Sequence, residues 1–192
     1  MHPTWPIVRR LLKSALALGI AGFASLVLLI AIFDFRYIQP RLPAMHRILA
    51  DASRENRHPP AVIRQLLTTT HRGSSTSYQV YRLISYRIGD DGPRRFPWRQ
   101  MKEILWSKLL QVHFDAEAID ALYCTLEYNG QDYGADQLAQ RLYSKPLGQL
   151  SPEEAATVVA IFRAPRRMLD DQVSRERIRD HLLAEMKASS AH

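Results

Sequence analysis

Twenty consecutive residues without a charge, SALALGIAGFASLVLLIAIF at positions 14–33, constrain this chain more than any other feature. At about 1.5 Å per residue, a helix of that length spans roughly 30 Å, the thickness of a bilayer's hydrocarbon core. Soluble helices are seldom apolar on every face for so long. A cleaved signal peptide has a shorter apolar region, about 7–15 residues, and ends in a small-residue cleavage site. Here Asp34, Phe35 and Arg36 follow the run. The pattern predicts an uncleaved signal anchor. Arg9, Arg10 and Lys13 precede it with no acidic residue among them, so the positive-inside bias keeps the N-terminus in the cytoplasm. The chain then divides into a cytoplasmic tail (1–13), a single transmembrane anchor (14–33), a linker (34–43) and an exported domain (44–188).

The formal charge of +7 fits nucleic acid, anionic lipid headgroups or a phosphate-bearing substrate. Export sets nucleic acid aside and leaves membrane lipid and phosphates. The one cysteine, Cys124, cannot form an internal disulfide and reads as a buried, inert thiol. A domain of roughly 150 residues is large enough to be held by its core alone.

Beyond the linker, whose Pro40 and Pro43 punctuate it, the periodicity is helical throughout. Helices are expected from Ala44, over 61–70 and over 75–88. The longest of the domain should run from Pro97 to about His113, its inner face formed by Trp98, Met101, Ile104, Leu105, Leu109 and Val112. Asp115 caps the next helix. Ser151-Pro152-Glu153-Glu154 is a capping box opening a central helix to Phe162. A last helix covers about 174–188. No strand pattern alternates, and the class is all-α.

Catalytic signatures are sparse. There is no Gly-rich phosphate loop, no zinc spacing and no nucleophile elbow. The seven histidines are scattered, and no metal ligand is assigned. Two local features stand apart. Gly73-Ser74-Ser75-Thr76-Ser77-Tyr78-Gln79 gathers small and hydroxyl residues at a helix start, where free backbone N–H groups favour an anion; it also reads as an ordinary N-cap. Arg99, Lys102 and Glu103 lie within one helical turn, either as a solvated ion pair or as a carboxylate tuned by two cations.

The order of these pieces resembles the peptidoglycan glycosyltransferases of family 51, the monofunctional transglycosylases and the polymerase domains of bifunctional penicillin-binding proteins. Gly73, Ser75, Thr76 and Gln79 match that family's GGSTITQ segment, and Arg99 and Glu103 match its RK-x-x-E helix. Gly130, Tyr133 and Gly134 resemble a G-x-x-YG loop. SPEEAATVVAIFRAP, from Ser151, resembles LTLAEAALLAGLPQAP. The match runs in order from Gly73 to Met186 and stops where a transpeptidase domain would begin.

The resemblance implies a lysozyme-like, two-lobed helical fold at the outer face of the bacterial cytoplasmic membrane. It implies action on the lipid-linked disaccharide-peptide lipid II, or on nascent glycan strands, in peptidoglycan biosynthesis. Other cell-wall synthases are partners of such proteins. Glu103 would support the pyrophosphate site, with Arg99 and Lys102 facing the phosphates and Ser75, Thr76 and Gln79 lining the same cleft. In some members a divalent metal, Mg or Mn, assists there. The family's general-base motif, E-D-x-x-F-x-x-H-x-G, falls best on residues 51–60, where only His58 is retained. Asp51 stands in place of the catalytic glutamate, one methylene shorter, and Glu55 in place of the phenylalanine. These two are the candidate bases. Three readings stay open: a divergent glycan polymerase, a non-catalytic protein that binds lipid II, glycan or a synthase, and a membrane-tethered helical interaction module.

Overall fold

The structure, a computed structural model, describes residues 5–70, 75–89 and 98–190. Gly73, Ser74 and Pro97 lie outside the described residues. The chain forms two compact units, residues 1–40 and 41–192.

In the first unit, α1 (Trp5–Phe33) takes in the whole apolar run and begins well before it, so most of the expected tail is helical. It is long and apolar enough to cross a membrane, and none of its apolar window is buried. The linker is not irregular either. A π-helical turn, Asp34–Ile38, is followed by a 3-10 turn, Gln39–Arg41. Pro40 falls in the short turn, and Pro43 falls in the first turn of α2 (Leu42–Asp51), positions where a missing N–H costs no helical hydrogen bond.

The second unit continues with α3 (Arg54–Arg57), α4 (Ala61–Thr70), α5 (Thr76–Arg87), α6 (Trp98–His113), α7 (Ala116–Leu126), α8 (Ala135–Tyr143), a 3-10 turn at Leu147–Gln149, α9 (Pro152–Phe162), α10 (Pro165–Asp170) and α11 (Gln172–Ser190). Among the described residues the only strand-like pairing is an isolated bridge between Tyr128 and Tyr133. The chain is all-α.

α9 sits at the centre. Its capping box forms as expected: the Ser151 hydroxyl accepts from Glu154 N at 3.2 Å, and the Glu154 carboxylate accepts from Ser151 N at 2.8 Å. Seven consecutive or near-consecutive residues, from Ala155 to Phe162, are then buried against α4, α8, α10 and α11. α4 contributes Ile63, Leu66 and Leu67 to that core, and α7 contributes Ile119, Leu122 and Cys124. Burial pushes the Cys124 thiol well up, which keeps it protonated and unreactive.

Two expectations about α6 fail. At 19 residues α11 is longer than α6, which has 16. The inward face of α6 is also a different one. Trp98, Met101, Ile104 and Val112 are exposed, while Lys102, Trp106, Ser107 and Leu110 are buried. The cause is the partner helix: α6 packs on α5, which sets Trp106 against Tyr81 and Ser107 against the polar first turn of α5, at Ser75 and Ser77.

Candidate functional site

That polar seam joins the two segments that the sequence singles out. Ser75 is the N-cap of α5. Its hydroxyl lies 2.8 Å from that of Ser77 and 3.0 Å from that of Ser107, and Ser77 and Ser107 are 2.8 Å apart. Gln111 donates to the Ser77 hydroxyl at 2.9 Å. A closed ring of hydroxyls needs every polar group partnered, and this one satisfies its buried members. One turn along, the Tyr78 hydroxyl donates to Glu103 at 3.0 Å. Burial, and then the neighbouring Glu103 carboxylate, push the Tyr78 phenol up, so it stays a donor.

Arg99 approaches Glu103 at 3.8 Å from a 61% exposed position. Lys102 is buried. The two cations therefore do not face solvent together, although their spacing places them near one another on the helix. Ser75 and Thr76 line a hollow of about 410 Å3 with Gln111 and Asp120. Burial raises the Asp120 carboxyl to about 6. Gln79 opens instead onto a different hollow, of about 560 Å3, with Arg82, Tyr123, Glu127 and Arg163. Glu103 lines neither. The segments carrying Glu103 and Gln79 do meet, through Tyr78, but the expected single cleft is divided.

The candidate bases have other tasks. Glu55 accepts a hydrogen bond from Gly148 N at 2.9 Å and so holds the 3-10 turn after α8. The adjacent Asn56 is buried; it accepts from Asp136 N at 2.9 Å and donates to Gln137 at 3.1 Å, which caps α8. Arg57 donates to the carbonyls of Leu49, Ala50 and Ala52 and so closes the end of α2. His58 pairs with Glu117 at 3.1 Å. Asp51, the last residue of α2, is exposed. Residues 53–58 thus form a clamp across α2, α7, α8 and the turn after it.

The residue that the sequence reading missed is Glu127, just past the end of α7. Its carboxyl is raised to about 7, chiefly by burial, against the opposing pull of a hydrogen bond with Tyr123 and of the Arg82 charge. An acidic residue at a helix C-terminus opposes the helix dipole, and that unfavourable placement was a legible signal. Among the described residues no three His, Cys, Asp or Glu side chains converge. A divalent cation would have to be held mainly by a ligand's own phosphates, with Glu103 as the carboxylate available to it.

The family model described as Transglycosylase matches residues 57–187. A biosynthetic peptidoglycan transglycosylase of Laribacter hongkongensis (strain HLHK9) is 32% identical over 74 residues, which make up 38% of this chain and 32% of that protein. The matched stretch thus spans about a third of the length of that curated relative. The family match begins after Asp51 and Glu55 and contains every other candidate site residue.

Proposed function

The chain belongs to the transglycosylase family, and from that premise we propose that it is a peptidoglycan glycosyltransferase-like protein that engages lipid II or the nascent glycan strand without polymerising it efficiently. The observation that carries this reading is the fate of residues 53–58. A general base must come within hydrogen-bond reach of the sugar hydroxyl it deprotonates, with a lone pair available. Glu55 is tied through one carboxylate oxygen to Gly148 N, away from the seam that carries Glu103, and Asp51 is an exposed helix-terminal residue. Losing a base costs about 10²–10⁴-fold in rate.

Binding does not need the base. Arg99, exposed beside Glu103, is suited to a pyrophosphate oxygen, and Glu103 with Tyr78 orients it. Ser75 and Thr76 supply hydroxyls and the start of α5 to the same end of the seam. Arg9, Arg10 and Lys13, in the part of α1 that precedes the apolar run, favour an orientation with the domain on the outer face of the cytoplasmic membrane, where lipid II is presented. A cell-wall synthase is the natural recipient of substrate held there.

The test uses the full chain in detergent with fluorescent lipid II, reading bound ligand and polymer on a gel. Binding without polymer is expected. Robust polymerisation, abolished by Asp51→Asn or Glu55→Gln, contradicts the reading and restores the enzyme.

A further inference from the structure

α5 and α6 pack as a lobe of their own. α5 packs chiefly on α6 and α7, and α6 chiefly on α5, with a lighter contact to α7. The hydroxyl ring of Ser75, Ser77 and Ser107 and the Tyr78–Glu103 hydrogen bond tie the two helices to each other. The lobe is joined to the rest of the domain mainly through α7, which itself packs on α2, α3 and α8. Two hollows lie along that seam. One has Gln79, Arg82, Leu83 and Tyr86 of α5 on one wall and Tyr123 on the other, with Glu127 just past the end of α7. The second has Thr76 and Ser77 of α5 across from Ala116, Ile119 and Asp120 of α7. The start of α5 is lightly held, because its N-cap Ser75 makes no side-chain cap hydrogen bond.

The seam carries two half-buried carboxyls, Asp120 and Glu127. Among the described residues neither is held in an ion pair. Glu127 accepts a hydrogen bond from Tyr123, and it faces Arg82 of α5 and Arg163 at the end of α9. Asp120 faces Arg64 of α4, Glu117 one turn earlier on α7, and Asp115 in the same hollow. Cys124 lies between the two carboxyls and stays protonated. All three arginines are exposed, so their charges are shared with water and offset little of the burial cost. Burial raises Asp120 to about 6 and Glu127 to about 7.

We infer that the α5–α6 lobe is a pH-sensitive flap, closed on α7 while Asp120 and Glu127 are protonated and released toward an open state when they ionise. In the closed state each charge sits in a desolvated seam, and opening lets water reach it from the flanking hollow. A carboxyl raised in the closed form and ordinary in the open form ionises first when open. Opening therefore gains as pH climbs from about 4, and the gain levels off above about 7. The hydroxyl ring and the Tyr78–Glu103 bond lie inside the lobe and travel with it. Ser75, Thr76 and Glu103 keep their mutual geometry, while Gln79 and Arg82 part from Tyr123 and Arg163. The flap stands on packing and buried charge, and it operates whether or not the chain binds lipid II.

The experiment is amide hydrogen exchange of the full chain in detergent micelles at pH 5 and pH 8, with each rate corrected for the intrinsic pH dependence of exchange. Protection of α5 amides should fall by at least about tenfold over that interval. A carboxyl raised from 4.5 to about 7 and solvated on opening is alone worth roughly 10². At pH 8, α5 should exchange ahead of the central helix α9. Replacing both carboxyls, Asp120→Asn with Glu127→Gln, should remove the fall, and each single variant should remove part of it. Unchanged α5 protection in the wild-type chain overturns the flap. So does a fall that survives in the double variant, because other groups then drive it. Equal corrected protection of α5 and α9 at both pH values overturns it too, because the opening is then unfolding of the whole domain. The wild-type comparison and the single variants decide the matter even where the double variant folds poorly. None of these readouts uses lipid II, so their failure leaves the proposed function untouched.

Discussion

Glu55 and Glu127 are carboxylates in opposite surroundings. Glu55 lies where the sequence resemblance seeks a base, and the fold uses it as a bracket for a backbone turn. Glu127 lies where no resemblance directs attention, and the fold half-buries it beside Arg82, Tyr123 and Gln79 in a hollow. Chemistry follows environment rather than alignment. A carboxylate anchored to a backbone N–H serves stability, whereas one that is desolvated and faces open space can respond to a ligand.

Breaking the clamp should have the largest effect. Gly134 adopts φ +108°, and a Cβ there would come within 2.0 Å of Gln137 Oε1 and 2.9 Å of Asn56 Nδ2. Gly134→Ala should therefore destabilise the domain by about 3 kcal/mol or more in chemical denaturation, through backbone strain and loss of the Asn56–Gln137 hydrogen bond. Next comes Glu127. Its folded carboxyl is raised, so it costs stability as pH climbs from its ordinary range toward about 7, with the full cost present above that. Glu127→Gln should raise stability by about 2 kcal/mol at pH 8 and leave it nearly unchanged at pH 4. An equal effect at both pH values would mean that Glu127 titrates like a surface residue.

Smaller still, Glu55→Ala should cost about 1 kcal/mol, the worth of one partly exposed charge-assisted hydrogen bond, and leave lipid II binding intact. Loss of that binding would place Glu55 in the site after all. Arg99→Ala should change stability by only a few tenths of a kcal/mol, because its pair with Glu103 is long and solvated, yet it should weaken lipid II binding.

The contrast explains which parts of the molecule the sequence discloses. Local signals come through: the capping box at Ser151, the cap at Asp115, the bounds of α4, and the apolar run inside α1 are each written in a few adjacent residues. The face of α6 was misread because Ser107 and Lys102 are buried by a partner helix, and a hydrogen-bonded polar seam has no hydropathy signature. Tyr78 lies inside the hydroxyl-rich segment that ends at Gln79, but only packing on α6 brings it to Glu103. The walls of the hollow around Glu127 come from α4, α5, α7 and the end of α9, far apart along the chain, and nothing in their spacing announces a common space.

The most direct test of this account is a side-chain carbon NMR titration of the full chain labelled at glutamate carboxyls, with the Glu127 resonance identified by its loss in Glu127→Gln. A midpoint near 7 is the expected result, because burial between α5, α7 and the end of α9 desolvates the carboxyl. A midpoint near the ordinary value of 4.5 would contradict the contrast between a buried Glu127 and a solvated, backbone-tied Glu55.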